Sequence, residues 1–278
     1  MDKKNLEIQL LLDAVYALSG YDFRRYNQQS ILRRIEHRMR IAKIPSVTRL
    51  TDAIIHDEGM LLQILQDFSI NVTEMFRNPS FFKAIREQVI PQLKKLNQIR
   101  IWHAGCATGE EVYSMAILLK EEGLLERSML YATDMSELAL EQARRGAYPI
   151  QKMQAYTRNY IIAGGVESFS EYYKTANSYA YFQPEFQNHM MFAQHNLVTD
   201  SSFQEFDFII CRNVLIYFTA ELQGDVHQLF YDSLAPGGFL GLGDKETLQF
   251  TPFDTHYSKL NFGERIYQKK HLDASFRV

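Results

Sequence analysis

FDFIICRNVLIYF, residues 206–218, opens as an apolar run of β-formers and then sets Arg212 and Asn213 where a further apolar pair would continue it. Five apolar residues in six, broken only by Asp207, mark a strand buried on both faces, as in a mainly parallel sheet. Burying a cation and an amide without partners would cost several kcal/mol. The polar pair therefore belongs at a strand end where something meets it.

Working outward, strand-like and helix-like runs alternate from residue 99 onward: IRIWHA, EEVYSMAILLKEE, MLYATD, SELALEQARRGAY, MMFAQHNL, FDFIICRN, AELQGDVHQLFYDSLA, FLGLG and RIYQKK. That alternation predicts a doubly wound α/β sheet, which binds ligands at the carboxyl ends of its strands. Between Tyr148 and Met190 the rhythm fails in a stretch rich in aromatics and turn residues, and a small antiparallel insertion is expected there. Before residue 70 the apolar residues recur only at helical intervals (Leu10, Leu11, Ala14, Leu18; Ile31, Ile35, Met39; Leu61, Ile64, Leu65, Phe68). Breaks at Gly20, Pro45-Ser46 and Gly59 divide them into about four helices. Asn78-Pro79 is expected to open a further helix, with Asn78 as its N-cap. The domain reading is a helical domain over 1–70, a linker over 71–80 and an α/β domain over 81–278, with its insertion at about 149–190.

A hydrophobic fraction of 46% over 278 residues suits a large core. No apolar stretch reaches the roughly 20 residues of a membrane span, and the charged N-terminus does not read as a signal peptide, so a cytoplasmic, monomeric protein is expected. Cys106 and Cys211 form no ligand spacing, and His103, His195 and His227 show no HExxH pattern or carboxylate cluster, so no metal is expected. Net charge is −3, yet Tyr21–Lys43 holds seven Lys/Arg against Asp22 and Glu36. With Ile31, Ile35 and Met39 packed inward, its arginines can form an outer stripe.

The polar residues just past each strand form a set: Gly105–Glu111, Asp134, Asn196 and Asn213. Gly105 and Gly109 lack Cβ atoms where a ligand could approach the backbone, but GxGxxG is absent, which argues against a nicotinamide dehydrogenase. Thr108-Gly109-Glu110-Glu111 fits a capping box. Asp134 stands where a ribose is usually accepted, or else caps the helix near Ser136.

Together NVTEMFRN (71–78), ATGEEVYS (107–114), ATDMS (132–136), CRNVLIYF and the arginine-rich FRRYNQQSILRRIEHRM (23–39) resemble the CheR-type chemotaxis receptor methyltransferases. The resemblance implies a class I S-adenosylmethionine-dependent methyltransferase fold. Its sheet would be Rossmann-like and mainly parallel, with an antiparallel last strand near Arg265–Lys269, an N-terminal helical domain in front and a small inserted antiparallel β-subdomain. It implies transfer of methyl groups from S-adenosyl-L-methionine to glutamate side chains, leaving S-adenosyl-L-homocysteine. Carried over by position, cofactor contacts fall on Asn71, Thr73, Arg77, Glu111, Asp134, Asn196, Leu197, Asn213 and Val214. Arg77 and Tyr217 become catalytic candidates that replace the water around a substrate carboxylate, and Arg212 is expected to hold an ion pair or hydrogen bonds beneath the site. Arg33, Arg34, Arg38 and Arg40 would dock the cytoplasmic helical region of methyl-accepting chemotaxis proteins or a related signalling protein. The hairpin TANSYAY is shorter than in relatives that grip a receptor peptide. Nucleic acid is not an expected partner, since no (Asp/Asn)-Pro-Pro-(aromatic) stretch follows the fourth strand. A non-catalytic adaptor on the same fold remains the reading of a different class.

Overall fold

The computed structural model describes residues 2–69, 72–261 and 263–271. The chain forms two compact units, residues 1–70 with 215–226, and residues 71–214 with 227–278.

In the first unit, α1 (Lys3–Ser19), α2 (Gln28–Ala42), α3 (Val47–His56) and α4 (Glu58–Phe68) follow one another. Their boundaries come from short polar caps: Asn27 Oδ1 accepts the N–H groups of Gln29 and Ser30, Ser46 accepts from Arg49, and Asp57 accepts from Gly59. Gly20 ends α1 at φ 76° with its N–H on Tyr16 O. The face of α1 that packs is Ile8, Leu11, Leu12 and Val15, so Leu10 and Leu18, expected inside, are exposed. A correction also applies to the basic helix. Arg38 is buried, and its guanidinium makes a bidentate pair with Asp67 (2.6 and 2.9 Å) and a bond to Gln63 Oε1 (2.6 Å), while Arg34 donates to the Asp67 carbonyl. A buried cation is tolerated only when its donors are met, so these two arginines clamp α2 to α4 instead of lining an outer stripe. Arg33 and Arg40 are the exposed members of the set.

The second unit begins with α5 (Pro79–Ala84), which runs through one π turn (Ile85–Val89) into α6 (Ile90–Leu93). Pro91 has no N–H and its ring crowds the carbonyl four residues back, so the ladder shifts and Ile90 donates to Ile85 O. The sheet follows in chain order: β1 (Ile99–Ala104), α7 (Glu110–Glu121), β2 (Ser128–Asp134), α8 (Glu137–Arg145), then, beyond the insertion, β6 (Met190–Gln194), β7 (Phe206–Cys211), α10 (Ala220–Ser233), β8 (Leu234–Leu242), β9 (Tyr257–Asn261) and β10 (Ile266–Lys269). Strand order is β6-β2-β1-β7-β8-β10-β9. The four pairings that link β6, β2, β1, β7 and β8 are parallel, and β10 runs antiparallel to β8 and β9. The fold is therefore the class I methyltransferase type with an antiparallel strand near the C-terminus, and β9 is an addition to the expected pattern.

Between α8 and β6 lies a three-stranded antiparallel sheet, β3 (Ala147–Pro149), β4 (Tyr173–Ala176) and β5 (Tyr179–Phe182), in order β3-β5-β4. The β4–β5 hairpin turns on Asn177 and Ser178, both left-handed, as a two-residue turn requires. A helix, α9 (Met153–Ile162), was not expected within this insertion. Tyr148, Tyr156, Tyr160, Phe169, Tyr172, Phe182 and Phe186 are buried, so most of the aromatics build a core.

His227 on α10 is buried, and neither ring nitrogen has a partner among the described residues. Burial pushes its pKa down to about 4. The unfolded chain then takes up this proton first, so stability is lost as pH falls from about 6.5 toward 4. The loss should approach about 3 kcal/mol. In urea titrations at pH 7 and pH 4.5, His227→Leu should lose about 2 kcal/mol less than the unaltered protein; equal losses would contradict the assignment.

Candidate active site

Parallel register brings five strand ends to one edge of the sheet. His103 pairs with Ala132 and Ile210, Asp134 with Gln194, and Cys211 with Leu242. The turns after β1, β2, β6, β7 and β8 therefore share that edge, on either side of the point where the chain moves from one flank of β1 to the other.

After β1, Gly105 adopts φ 77°, and a Cβ there would stand 2.5 Å from Val214 Cγ2, so only glycine allows the β1 and β7 turns to close on each other. The turn is fastened to β2 by Asp134, whose Oδ2 accepts the Ala107 N–H and whose Oδ1 accepts the Ser136 N–H, both at 2.9 Å. Burial raises the Asp134 pKa above the usual carboxylate value, and these backbone bonds offset part of the rise. The helix cap belongs to Ser136, whose hydroxyl accepts from Ala139, leaving Asp134 with lone pairs toward the edge. His195 N–H donates to the Asp134 carbonyl, which brings the Asn196–Leu197 turn alongside. Asn196 Oδ1 accepts from Val198 in an Asx turn, and both residues are half-buried.

Glu111 does not form the expected capping box. The N-cap of α7 is Gly109 at φ 91°, with no side-chain cap, and Thr108 bonds to Glu110 instead. Glu111 is drawn away by stronger donors: His103 Nδ1 at 3.1 Å on Oε1 and Arg212 Nη1 at 3.0 Å on Oε2. Burial pushes the Glu111 carboxyl up, but the His103 bond and the Arg212 charge outweigh it and hold the group below the usual range. His103 thus joins a carboxylate that its sequence spacing did not suggest. Arg212 also donates to Asn78 Oδ1 at 2.7 Å and stacks 4.1 Å from the Phe81 ring centroid. Asn78, at φ 54°, is the N-cap residue of α5 as expected, but it gives its side chain to this bond and makes no side-chain cap. Here is the partner that lets a strand end on a cation: a half-buried carboxylate from α7 and an amide from the start of α5.

The segment that holds Thr73 and Arg77 is pinned to α7. Phe76 N–H donates to Ser114 Oγ at 2.9 Å, Ser114 donates to Glu110 O, and Asn159 Nδ2 holds the Met75 carbonyl. Met75 and Phe76 are buried, whereas Thr73 and Arg77 are half-buried. Arg77 Nη1 donates to Val72 O, and among the described residues no carboxylate pairs with it. Asn71 lies outside the described residues.

At the β7 end, Asn213 turns left-handed at φ 63°. Glu246, from the loop after β8, is buried and accepts three backbone N–H groups: Asn213 at 3.0 Å, Val214 at 2.9 Å and Gly243 at 2.6 Å. This residue was missed in the sequence, where Gly243-Asp244-Lys245-Glu246 looks like an ordinary surface turn. Tyr217 belongs to the first unit, where its carbonyl accepts the Asn27 N–H at 2.7 Å and its ring lies 5.9 Å from the Arg34 guanidinium.

Residues 71–262 match the family described as CheR methyltransferase, SAM binding domain, and residues 6–69 match the CheR methyltransferase all-alpha domain. The chain belongs to the CheR methyltransferase family. It is 46% identical over 265 residues to Cher3 of Pseudomonas putida, a protein with a methyltransferase name, covering 95% of this chain and 97% of that one. A chemotaxis protein methyltransferase of Listeria innocua is 32% identical, with 87% and 90% covered. An uncharacterized 104.1 kDa protein of Rhodobacter capsulatus is 33% identical over 91% of this chain, which spans 27% of that longer protein.

The site fits the cofactor of a CheR methyltransferase. S-adenosylmethionine carries a sulfonium and an ammonium against one carboxylate, and the turn around Cys106 is correspondingly acidic: burial first, then Asp134, Glu111 and Glu110, push that thiol's pKa well up. Arg212 is the buried cation bonded within this set. An anionic dinucleotide would be repelled there; a cationic donor is attracted. Among the described residues no group of three or more His, Cys, Asp or Glu could hold a metal, and no helix is long and apolar enough to cross a membrane.

Proposed function

We propose that this CheR methyltransferase esterifies glutamate side chains of a chemoreceptor, or of a related signalling protein, to glutamyl methyl esters. The observation that carries this reading is Arg77: a half-buried guanidinium on a strap pinned to α7, with a backbone carbonyl as its partner and no carboxylate paired with it among the described residues. Its planar fork of donors matches an incoming carboxylate. The name of the Listeria relative supports a chemotaxis substrate.

In this reading Asp134 accepts the ribose hydroxyls and Glu111 the amino group, while Asn71, Thr73, Arg77, Asn196, Leu197, Asn213 and Val214 complete the cofactor contacts. Bound S-adenosylmethionine supplies a methyl carbon already activated by its sulfonium. A glutamate is already ionised at neutral pH, its pKa being about 4.3, so the chain need supply no general base. Its residues instead hold the carboxylate oxygen in line with the methyl–sulfur bond, roughly 3 to 3.5 Å from the methyl carbon. Held by Asp134 and Glu111, the cofactor would give its methyl to that oxygen and keep the C–S electron pair, leaving S-adenosylhomocysteine. Arg77 replaces water around the carboxylate as it enters. Arg33 and Arg40, with Arg34 and Arg38 holding their helix against α4, would attract an acidic receptor helix, and salt would weaken that association.

Arg77→Ala should lower kcat by about tenfold or more, as expected for loss of a charged hydrogen bond made during reaction, with cofactor affinity changed by less. Unaltered kinetics and affinity would remove the role. The function itself is tested by incubating the protein with methyl-labelled cofactor and receptor cytoplasmic fragments, then treating the product with mild alkali. Volatile methanol indicates esters; label that stays on the protein indicates N-methylation, and cofactor binding without transfer indicates an adaptor.

A further inference from the structure

His103 is a fully buried titratable group near the strand-end edge. It sits in the middle strand of three, paired with Ala132 on one side and Ile210 on the other, and is fully buried. Strand alternation puts it on the same face as Ile101 and opposite Trp102, beneath the first turn of α7. Its Nδ1 meets Glu111 Oε1 at 3.1 Å, and its Nε2 is buried with no partner among the described residues. A carboxylate acceptor selects the tautomer that carries its proton on Nδ1, leaving Nε2 bare. Holding a ring this way costs the solvation of one nitrogen, a cost a mere space-filling side chain such as Leu would avoid.

The compensation lies in what the bond does to Glu111. Arg212 reaches Oε2 from the end of β7 and is itself held by Asn78 at the start of α5. With Arg212 alone, the carboxylate could still turn about its own bond. A second donor on the other oxygen, from a different strand, fixes its plane and leaves a lone pair on each oxygen. Each oxygen of Glu111 thus has one protein donor, and the free lone pairs stay able to accept a further donor.

We propose that His103 is a positioning residue for cofactor capture: its Nδ1–H orients Glu111 to receive the ammonium of the amino-acid moiety of S-adenosylmethionine. This rests on the reading that Glu111 binds that ammonium. The test compares two ligands by calorimetry, S-adenosylhomocysteine and 5′-methylthioadenosine, the second of which keeps the nucleoside and sulfur but has no ammonium. His103→Leu should raise the Kd of S-adenosylhomocysteine about tenfold or more, the size expected for a hydrogen bond to a charged group, and leave that of 5′-methylthioadenosine within about twofold. His103→Asn, whose amide nitrogen corresponds to Nδ1, should restore most of the affinity, and His103→Leu should have no further effect once Glu111→Gln is present. An unchanged Kd in His103→Leu, or equal weakening of both ligands, overturns the proposal. If His103→Leu shows no cooperative thermal transition, His103→Ser takes its place under the same criteria. Glu111→Gln separates the two ideas: if it leaves the preference between the ligands unaltered, the ammonium reading of Glu111 fails, whereas a lost preference there with none lost in His103→Leu sinks His103 alone.

Discussion

Asp134→Ala should weaken S-adenosylhomocysteine binding by about a factor of 100 or more. The expectation combines two effects. Two ribose hydroxyls donating to a buried carboxylate form charge-assisted bonds, and losing both removes about 3 kcal/mol or more. In addition, Asp134 fastens the glycine turn through the Ala107 N–H and the next helix through Ser136, so its removal also loosens the surface on which the nucleoside would rest. Asp134→Asn is the sharper variant, because it keeps the volume but turns an amide N–H₂ toward at least one of those two backbone donors. It should bind nearly as poorly as the alanine variant. Burial raises the Asp134 pKa above an ordinary aspartate's, so affinity should also begin to fall at a higher pH than an exposed carboxylate would predict. Calorimetry across pH 5 to 8 checks all three statements. An Asp134→Asn protein with unaltered affinity would show that the ribose lies elsewhere.

The fold was readable because its signals are periodic. Strands β1 and β7 are mostly buried on both faces and read as largely apolar runs, α8 carries ordinary amphipathic spacing, and α7 is buried without a break from Val112 to Leu119. β9 escaped notice because Tyr257-Ser258-Lys259-Leu260-Asn261 is short and mixed, and its place is given by β10 beside it. α9 was hidden among aromatics whose spacing serves a small core on several elements at once. At the site, residue type and position were legible, but partnership was not. Arg38 and Arg34 looked like neighbours on a solvated face, and the Asp67 that captures them sits 29 and 33 residues away. Glu111 fitted a cap by spacing alone, until two donors from β1 and β7 offered a better bond than a backbone amide could. Such choices depend on which segments the topology brings together, and no local pattern records them.

Glu246 is the extreme case of that limit, and its removal should be the costliest single substitution for stability. Its carboxylate accepts the backbone N–H groups of Asn213, Val214 and Gly243, and Gly243 is packed so closely that a Cβ would stand 2.6 Å from Glu246 Oε2 and 2.9 Å from Asn213 N. Asn213 at φ 63° stays in the left-handed region against its local preference because these bonds hold it. In Glu246→Ala one buried and two part-buried backbone donors lose their acceptor at once, and each unmet buried group costs roughly 1 to 3 kcal/mol. Partial rehydration reduces the sum, and a loss of about 4 kcal/mol in urea titration is expected. Glu246→Gln keeps one carbonyl oxygen and should fall between. Lys245→Ala, at the exposed neighbouring position, should stay within about 0.5 kcal/mol and serves as the control. Because the same three bonds shape the turn that carries Asn213 and Val214 against Gly105, cofactor affinity should fall with stability although Glu246 is assigned no cofactor contact. A Glu246→Ala protein as stable as Lys245→Ala would mean that the β7 turn holds its shape without its buried acceptor, and that the left-handed Asn213 is sustained by something other than this carboxylate.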